Sequence, residues 1–304
     1  WVSPRQCNVI PSRPETIARR DVQGATPARL LYQNPDGCSG DARLVRSNIV
    51  ADRNYLFYTT DQGLMRLALT AQVGAAGAVQ LAGVDNAELI NTDLKGVSQI
   101  ALNASDVVGL DAARRIWRVA KTGGAGQVLQ NLGAISNVKS ATAFGVNYIY
   151  WQNGVDLIRY NTSTGASTTI ATGVVTYLPL GGRRNCQPGL FGPTCTNLEV
   201  VLISRGNRVD EYNALTNQVS TLYTSNKWIY ELAYAESGYL LALEEESNGI
   251  CLPGIFNACL YTDFISRIPL RYGDRYLFAP LLPTAFIYNG APTYQRTLRQ
   301  LGGE

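Results

Sequence analysis

The sequence predicts an all-β protein built of repeated four-stranded antiparallel units, and three observations predict it. Short aromatic and β-branched runs alternate with turn-rich segments along most of the 304 residues. A strand–turn–strand pattern recurs, with Arg66, Arg118 and Arg159 at equivalent places, 52 and 41 residues apart. Charged residues make up 16% of the chain and hydrophobic ones 46%, whereas about 25% charged is usual. A repeat of this length holding four strands has the make-up of a β-propeller blade.

The elements follow in order. Residues 55–69 (YLFYTTDQGLMRLAL), 107–119 (VVGLDAARRIWRV), 148–160 (YIYWQNGVDLIRY), 200–212 (VVLISRGNRVDEY) and 239–270 each give an apolar strand, a polar turn and a second, alternating strand. A lead-in strand precedes each: SNIVADRN (47–54), VSQIALNAS (97–105), VKSATAFGVN (138–147) and WIYELAYAES (228–237). An outer strand follows a Gly, Asn, Thr and Ser turn, as in AVQLAGV (78–84) and after IRYN. Helix signals are confined to PETIARRDV (14–22) and PTYQRTLRQL (292–301), each worth a turn or two. The expected fold is one six-bladed propeller over 1–304. Residues 1–46 give an N-terminal segment and closing strand, 47–280 five blades, and 281–304 a closing strand and tail. ARLLYQNP (28–35) and TAFIYNG (284–290) are expected to pair into the sixth blade and remove the exposed edges.

Composition narrows the setting. A net charge of +3, with basic pairs scattered rather than clustered, gives little support to nucleic-acid binding. No run reaches the roughly 18–20 apolar residues that span a bilayer. The chain opens on Trp1 without a signal-like segment and ends on LRQLGGE, as a processed or excised chain would. Six cysteines are present. Cys186 and Cys195 bound CQPGLFGPTC, and Cys251 and Cys259 bound CLPGIFNAC, which leaves Cys7 with Cys38. With no CxxC and no histidine, zinc is the weaker reading, and three disulfides in an exported protein are expected.

Tyr150-Trp151-Gln152-Asn153 followed by Leu157-Ile158-Arg159 resembles the YWTD repeat of low-density-lipoprotein receptor class B propellers. Phe57-Tyr58-Thr59-Thr60-Asp61 with Leu64-Met65-Arg66, and Leu260-Tyr261-Thr262-Asp263 with Ile265-Ser266-Arg267, are similar to it. The pattern also resembles TolB-like and NHL-like propellers. In such blades the aromatics fill the space between sheets, and the arginine braces a turn or the next blade's carboxylate.

Absence of histidine removes Ser-His-Asp, Cys-His and histidine-ligand chemistry from this chain. The acidic run Glu244-Glu245-Glu246 reads as a solvated turn, with a cation site as the alternative, and Gly123-Gly124-Ala125-Gly126 as a hairpin turn. Each cysteine cassette carries Pro-Gly and an apolar tip, Leu190-Phe191 or Ile255-Phe256, on a rigid loop of the kind that makes binding surfaces. The expected function is therefore a non-catalytic, exported recognition or assembly module that binds a protein partner or itself and needs no cofactor. The alternative is a calcium-dependent hydrolase of the lactonase type, to which the resemblance points, with Asn48, Asp52, Asn103, Asp106, Asn147 and Glu236 lining an axial metal site. A third reading is a sensor or scaffold domain of a larger chain. Asn103-Ala-Ser105 and Asn161-Thr-Ser163 are N-glycosylation sequons.

Overall fold

The computed structural model describes residues 2–3, 16–19, 29–33, 43–69, 74–75, 87–131, 135–187, 194–235, 239–252, 258–270 and 284–287. Among them every regular element is a strand, every strand pairing is antiparallel, and no helix is long and apolar enough to cross a membrane. The chain divides into two compact bodies, Trp1–Val138 and Lys139–Gly302.

The N-terminal body contains three four-stranded sheets. Its strands are β1 (Val2–Ser3), β2 (Thr16–Arg19), β3 (Arg29–Gln33), β4 (Val50–Ala51), β5 (Tyr55–Thr59), β6 (Leu64–Ala68), β7 (Gly74–Ala75), β8 (Ala87–Asn91), β9 (Gln99–Leu102), β10 (Asp106–Leu110), β11 (Arg115–Ala120) and β12 (Gln127–Asn131). The sheet orders are β1-β2-β3-β7, β4-β5-β6-β8 and β12-β11-β10-β9. Alternation along β5 shows how they pack. Leu56 and Tyr58 join Ile17, Leu31, Tyr32, Met65 and Leu67 on one face, while Phe57 joins Leu64, Ile100 and Val107 on the other. Both faces are buried, so the strand reads as a continuous apolar run rather than an alternating one.

The C-terminal body contains β13 (Ile135–Ala143), which starts just before the division, β14 (Val146–Asn153), β15 (Asp156–Asn161) and β16 (Ser167–Ala171), ordered β13-β14-β15-β16. A seven-stranded sheet follows in chain order: β17 (Thr176–Gln187), β18 (Thr194–Ser204), β19 (Gly206–Asn213), β20 (Gln218–Ala235), β21 (Tyr239–Leu252), β22 (Ala258–Pro269) and β23 (Thr284–Ile287). The 18-residue β20 serves twice, with Gln218 opposite Asn213 of β19 and Ala235 opposite Tyr239 of β21. The sheet is therefore two successive groups of four sharing one long strand. Along β18, Val201 and Ile203 face one core and Val200 and Leu202 the next, the same two-sided burial as in β5.

The structure departs from the sequence-based expectation in three places. Residues 16–19 form β2, not a helical turn, because Ile17 is buried and the segment pairs with both β1 and β3; pairing overrides a weak helical preference. The outer strand beside β6 is β8, not AVQLAGV, and β7 leaves that sheet to pair with β3. Among the described residues β3 pairs with β2 and β7, and β23 with β22. Glu244–Glu246 lie within β21 rather than in a turn, and Glu244 is buried. The run PTYQRTLRQL lies outside the described residues.

Candidate functional site

Two β-ribbons distinguish the C-terminal body, and both carry a cysteine cassette. β17 and β18 run 12 and 11 residues, and β21 and β22 run 14 and 12, against 4–6 for β9 to β12. In the first ribbon the register continues from Gly181 opposite Val200 to Gln187 opposite Thr194, which sets Cys186 opposite Cys195. In the second, Cys251 stands opposite Cys259 and Leu252 opposite Ala258, beyond an irregularity after Ser247. The tips Leu190, Phe191, Ile255 and Phe256 lie outside the described residues, as do Cys7, Cys38 and the side chains of the other four cysteines.

The root of the first ribbon is a built surface. β13 and β14 are joined by Phe144-Gly145 alone, with φ of 50° and 82°. Two positive φ values in a two-residue hairpin make a type I′ turn, which favours Asn-Gly. A bulky residue in the left-handed region is an outlier, and such strain concentrates at functional positions. Phe144 is 47% exposed. Its neighbour is a glycine pair on β17: a Cβ on Gly181, whose φ is 71°, would meet the Thr142 carbonyl oxygen at 2.4 Å, and one on Gly182 would meet the Phe144 ring at 3.5 Å. The glycines let the hairpin press against β17 and hold the ring with one side open to solvent. The next residue points to the opposite face of β17, away from Phe144, where the Arg183 guanidinium lies 5.4 Å from the centre of the Tyr234 ring, both side chains being partly exposed.

Below this surface a polar network crosses the C-terminal body. The Lys139 ammonium donates to the Tyr177 carbonyl oxygen (2.5 Å), and the Tyr177 hydroxyl donates to the Tyr150 carbonyl oxygen (2.9 Å). The Tyr150 hydroxyl donates to Glu199 Oε1 (2.8 Å). Arg159 donates to both Glu199 oxygens, from Nε at 2.6 Å and from the adjacent guanidinium nitrogen, and lies 4.0 Å from the Tyr148 ring centre. Arg159 on β15 thus braces a carboxylate of the following sheet, as the resemblance implied. Burial pushes the Lys139 amine down to about 8, with Glu231 pulling the other way. Burial, then the Glu199 charge, holds the Tyr150 hydroxyl well above its ordinary value.

The carboxamides and carboxylates expected to line a metal site are tied into turns and strand junctions. Asn48 receives the Ile100 N–H at 2.8 Å and donates to the Ile100 carbonyl at 2.9 Å, a side-chain copy of a strand pairing. Asp52 accepts from the Asn54 and Tyr55 amides and pairs with Lys121 at 3.0 Å. Burial works against its ionised form, but these partners prevail and hold it below the usual carboxylate range. Asn103 accepts from the Ser105 and Asp106 amides, Asp106 accepts from the Ser105 hydroxyl, and Asn147 accepts from the Thr142 hydroxyl. Glu236 lies outside the described residues. No group of three acidic, cysteine or histidine residues able to hold a metal occurs among the described residues.

No family model and no curated protein matches the chain. Solved structures do. A chain of a nidogen/laminin complex is similar at 13% identity, with a TM-score of 0.48, over 86% of this chain and 89% of that one. The extracellular domain of a hybrid two-component system from B. thetaiotaomicron is similar at 15% identity and a TM-score of 0.47, over 99% of this chain and 36% of that one. A TolB from Agrobacterium tumefaciens is similar at 12% identity and a TM-score of 0.47, over 85% and 86%.

Sequence reasoning missed Phe144 and, separately, the Arg183–Tyr234 pair. The available signal for Phe144 was the dipeptide Phe-Gly between two β-runs, a turn position where an aromatic has no local reason to be.

Proposed function

We propose that the chain is an exported, non-catalytic recognition module of six four-stranded blades, engaging a protein partner at the root and tip of its first long ribbon. The observation that carries this reading is Phe144, an aromatic kept half-exposed at positive φ in the β13–β14 turn. Exposed aromatics held in a fixed conformation are among the residues that concentrate binding energy at interfaces. The apolar tips Phe191 and Phe256, with Leu190 and Ile255, extend the surface on sequence grounds.

Export is supported by register. Opposed residues in an antiparallel pair have Cα atoms about 4.5 or 5.5 Å apart, within the roughly 4.4–6.8 Å that a disulfide spans. Cys186 with Cys195 and Cys251 with Cys259 meet that condition by backbone pairing, and Cys7 with Cys38 completes the set by elimination.

The test places a photo-crosslinking phenylalanine analogue at position 144 and at the exposed turn residue Val155 as control. A protein adduct formed from 144 and absent from 155 is the expected result. Identical adducts from both positions, or none from 144, overturn the reading. Phe144→Asn supplies the favoured turn residue and is expected to raise stability by about 1 kcal/mol while abolishing the adduct-forming interaction, measured by competition with unlabelled variant.

A further inference from the structure

Three carboxylates are fully buried among the described residues, and they are not treated alike. Glu199 is clamped by Arg159, and Asp210 is paired with both Arg205 (3.0 Å) and Arg208 (2.8 Å). Glu244, 1% exposed, has no basic partner among the described residues. One of its oxygens accepts from the Ser225 hydroxyl at 3.0 Å, and the other is buried with no hydrogen-bond partner. Around it stand hydroxyls: Tyr223 sits among Ser225, Ser266 and Glu244, and Ser266 is itself buried. The adjacent ammonium of Lys227 is engaged elsewhere, 3.8 Å from Glu246 and 4.5 Å from the Phe264 ring.

An ionised carboxylate removed from water without a counter-charge is strongly disfavoured, and the orphaned oxygen leaves part of that cost unrelieved. The charge to be offset is one, and the surrounding donors are neutral hydroxyl oxygens. Calcium collects six to eight oxygens with several carboxylates among them, which this cluster does not offer. We propose that Glu244 holds a monovalent alkali-metal cation, sodium or potassium, with the Ser225, Tyr223 and Ser266 hydroxyls completing an all-oxygen site between β20, β21 and β22.

The test is thermal unfolding of the full chain in sodium, potassium and choline chloride at matched ionic strength of about 0.15 M, which holds screening constant. For a site that is largely filled at that concentration, the wild-type midpoint is expected about 2–3 °C higher in sodium or potassium than in choline. Glu244→Gln, which keeps the shape and removes the charge, is expected to melt equally in all three salts. Glu246→Gln is expected to retain the wild-type response. A thallous-ion soak of crystals should place an anomalous peak against Glu244. Equal wild-type melting in all salts, a response that survives Glu244→Gln, or a peak only at other residues overturns the proposal.

Discussion

Removing the Arg159 guanidinium should be among the most damaging single changes in the C-terminal body. Glu199 is wholly buried and Arg159 only 18% exposed, and two guanidinium nitrogens contact the two carboxylate oxygens. Arg159→Met keeps much of the aliphatic stem but leaves Glu199 with the Tyr150 hydroxyl as its remaining named donor. Breaking a buried pair in this way costs about 3–5 kcal/mol, most of it the exposed lack of a counter-charge rather than the worth of the pair. The midpoint should fall by about 5–15 °C, depending on whether the whole chain or the C-terminal body unfolds cooperatively. Urea unfolding of Arg159→Met, Glu199→Leu and the double variant decides the matter. The double variant should be more stable than Arg159→Met by at least about 2 kcal/mol, because the orphaned charge is gone. A single-variant cost under about 1 kcal/mol, or strictly additive costs, refutes the reasoning.

Two further outcomes follow from the same body. The Lys139 amine titrates near 8 when folded and near 10.5 when free, so between these values the unfolded chain binds more protons and stability rises with pH. The gain between pH 7.5 and 9.5 is at most about 2 kcal/mol, read by urea unfolding at the two values, and Lys139→Met should abolish it. Gly181→Ala should cost more than about 2 kcal/mol, because φ is 71° and the new Cβ meets the Thr142 carbonyl oxygen. Gly154→Ala, at φ 62° with nothing within 4 Å, should cost only the left-handed penalty of about 1 kcal/mol; equal losses in the two variants would show that the close approach at Gly181 is unimportant.

Much of the candidate surface was hidden in the sequence for a physical reason. Phe144, Arg183 and Tyr234 stand on β-hairpin, β17 and β20 positions separated by 39 and 51 residues, and nothing local to any of them signals the others. The Arg159 brace was legible only through the resemblance, which implies an arginine holding a turn or the next blade's carboxylate, and Glu199 itself was not singled out. The acidic run 244–246 was misread because three consecutive charges look solvated, yet Glu244 falls where β21 is still covered by its neighbours, while Glu246, on the same face one step further along the ribbon, is exposed.

The sequence by itself determined the all-β character, the strand–turn–strand repeat and the two cysteine ribbons, since these rest on side-chain period and turn chemistry within a few residues. Tertiary structure alone decided which strands leave their own sheet, as β7 does, and which carboxylates receive an arginine. Those outcomes depend on which sheet edge and which charged side chain a distant segment brings into contact, and local sequence carries no record of that.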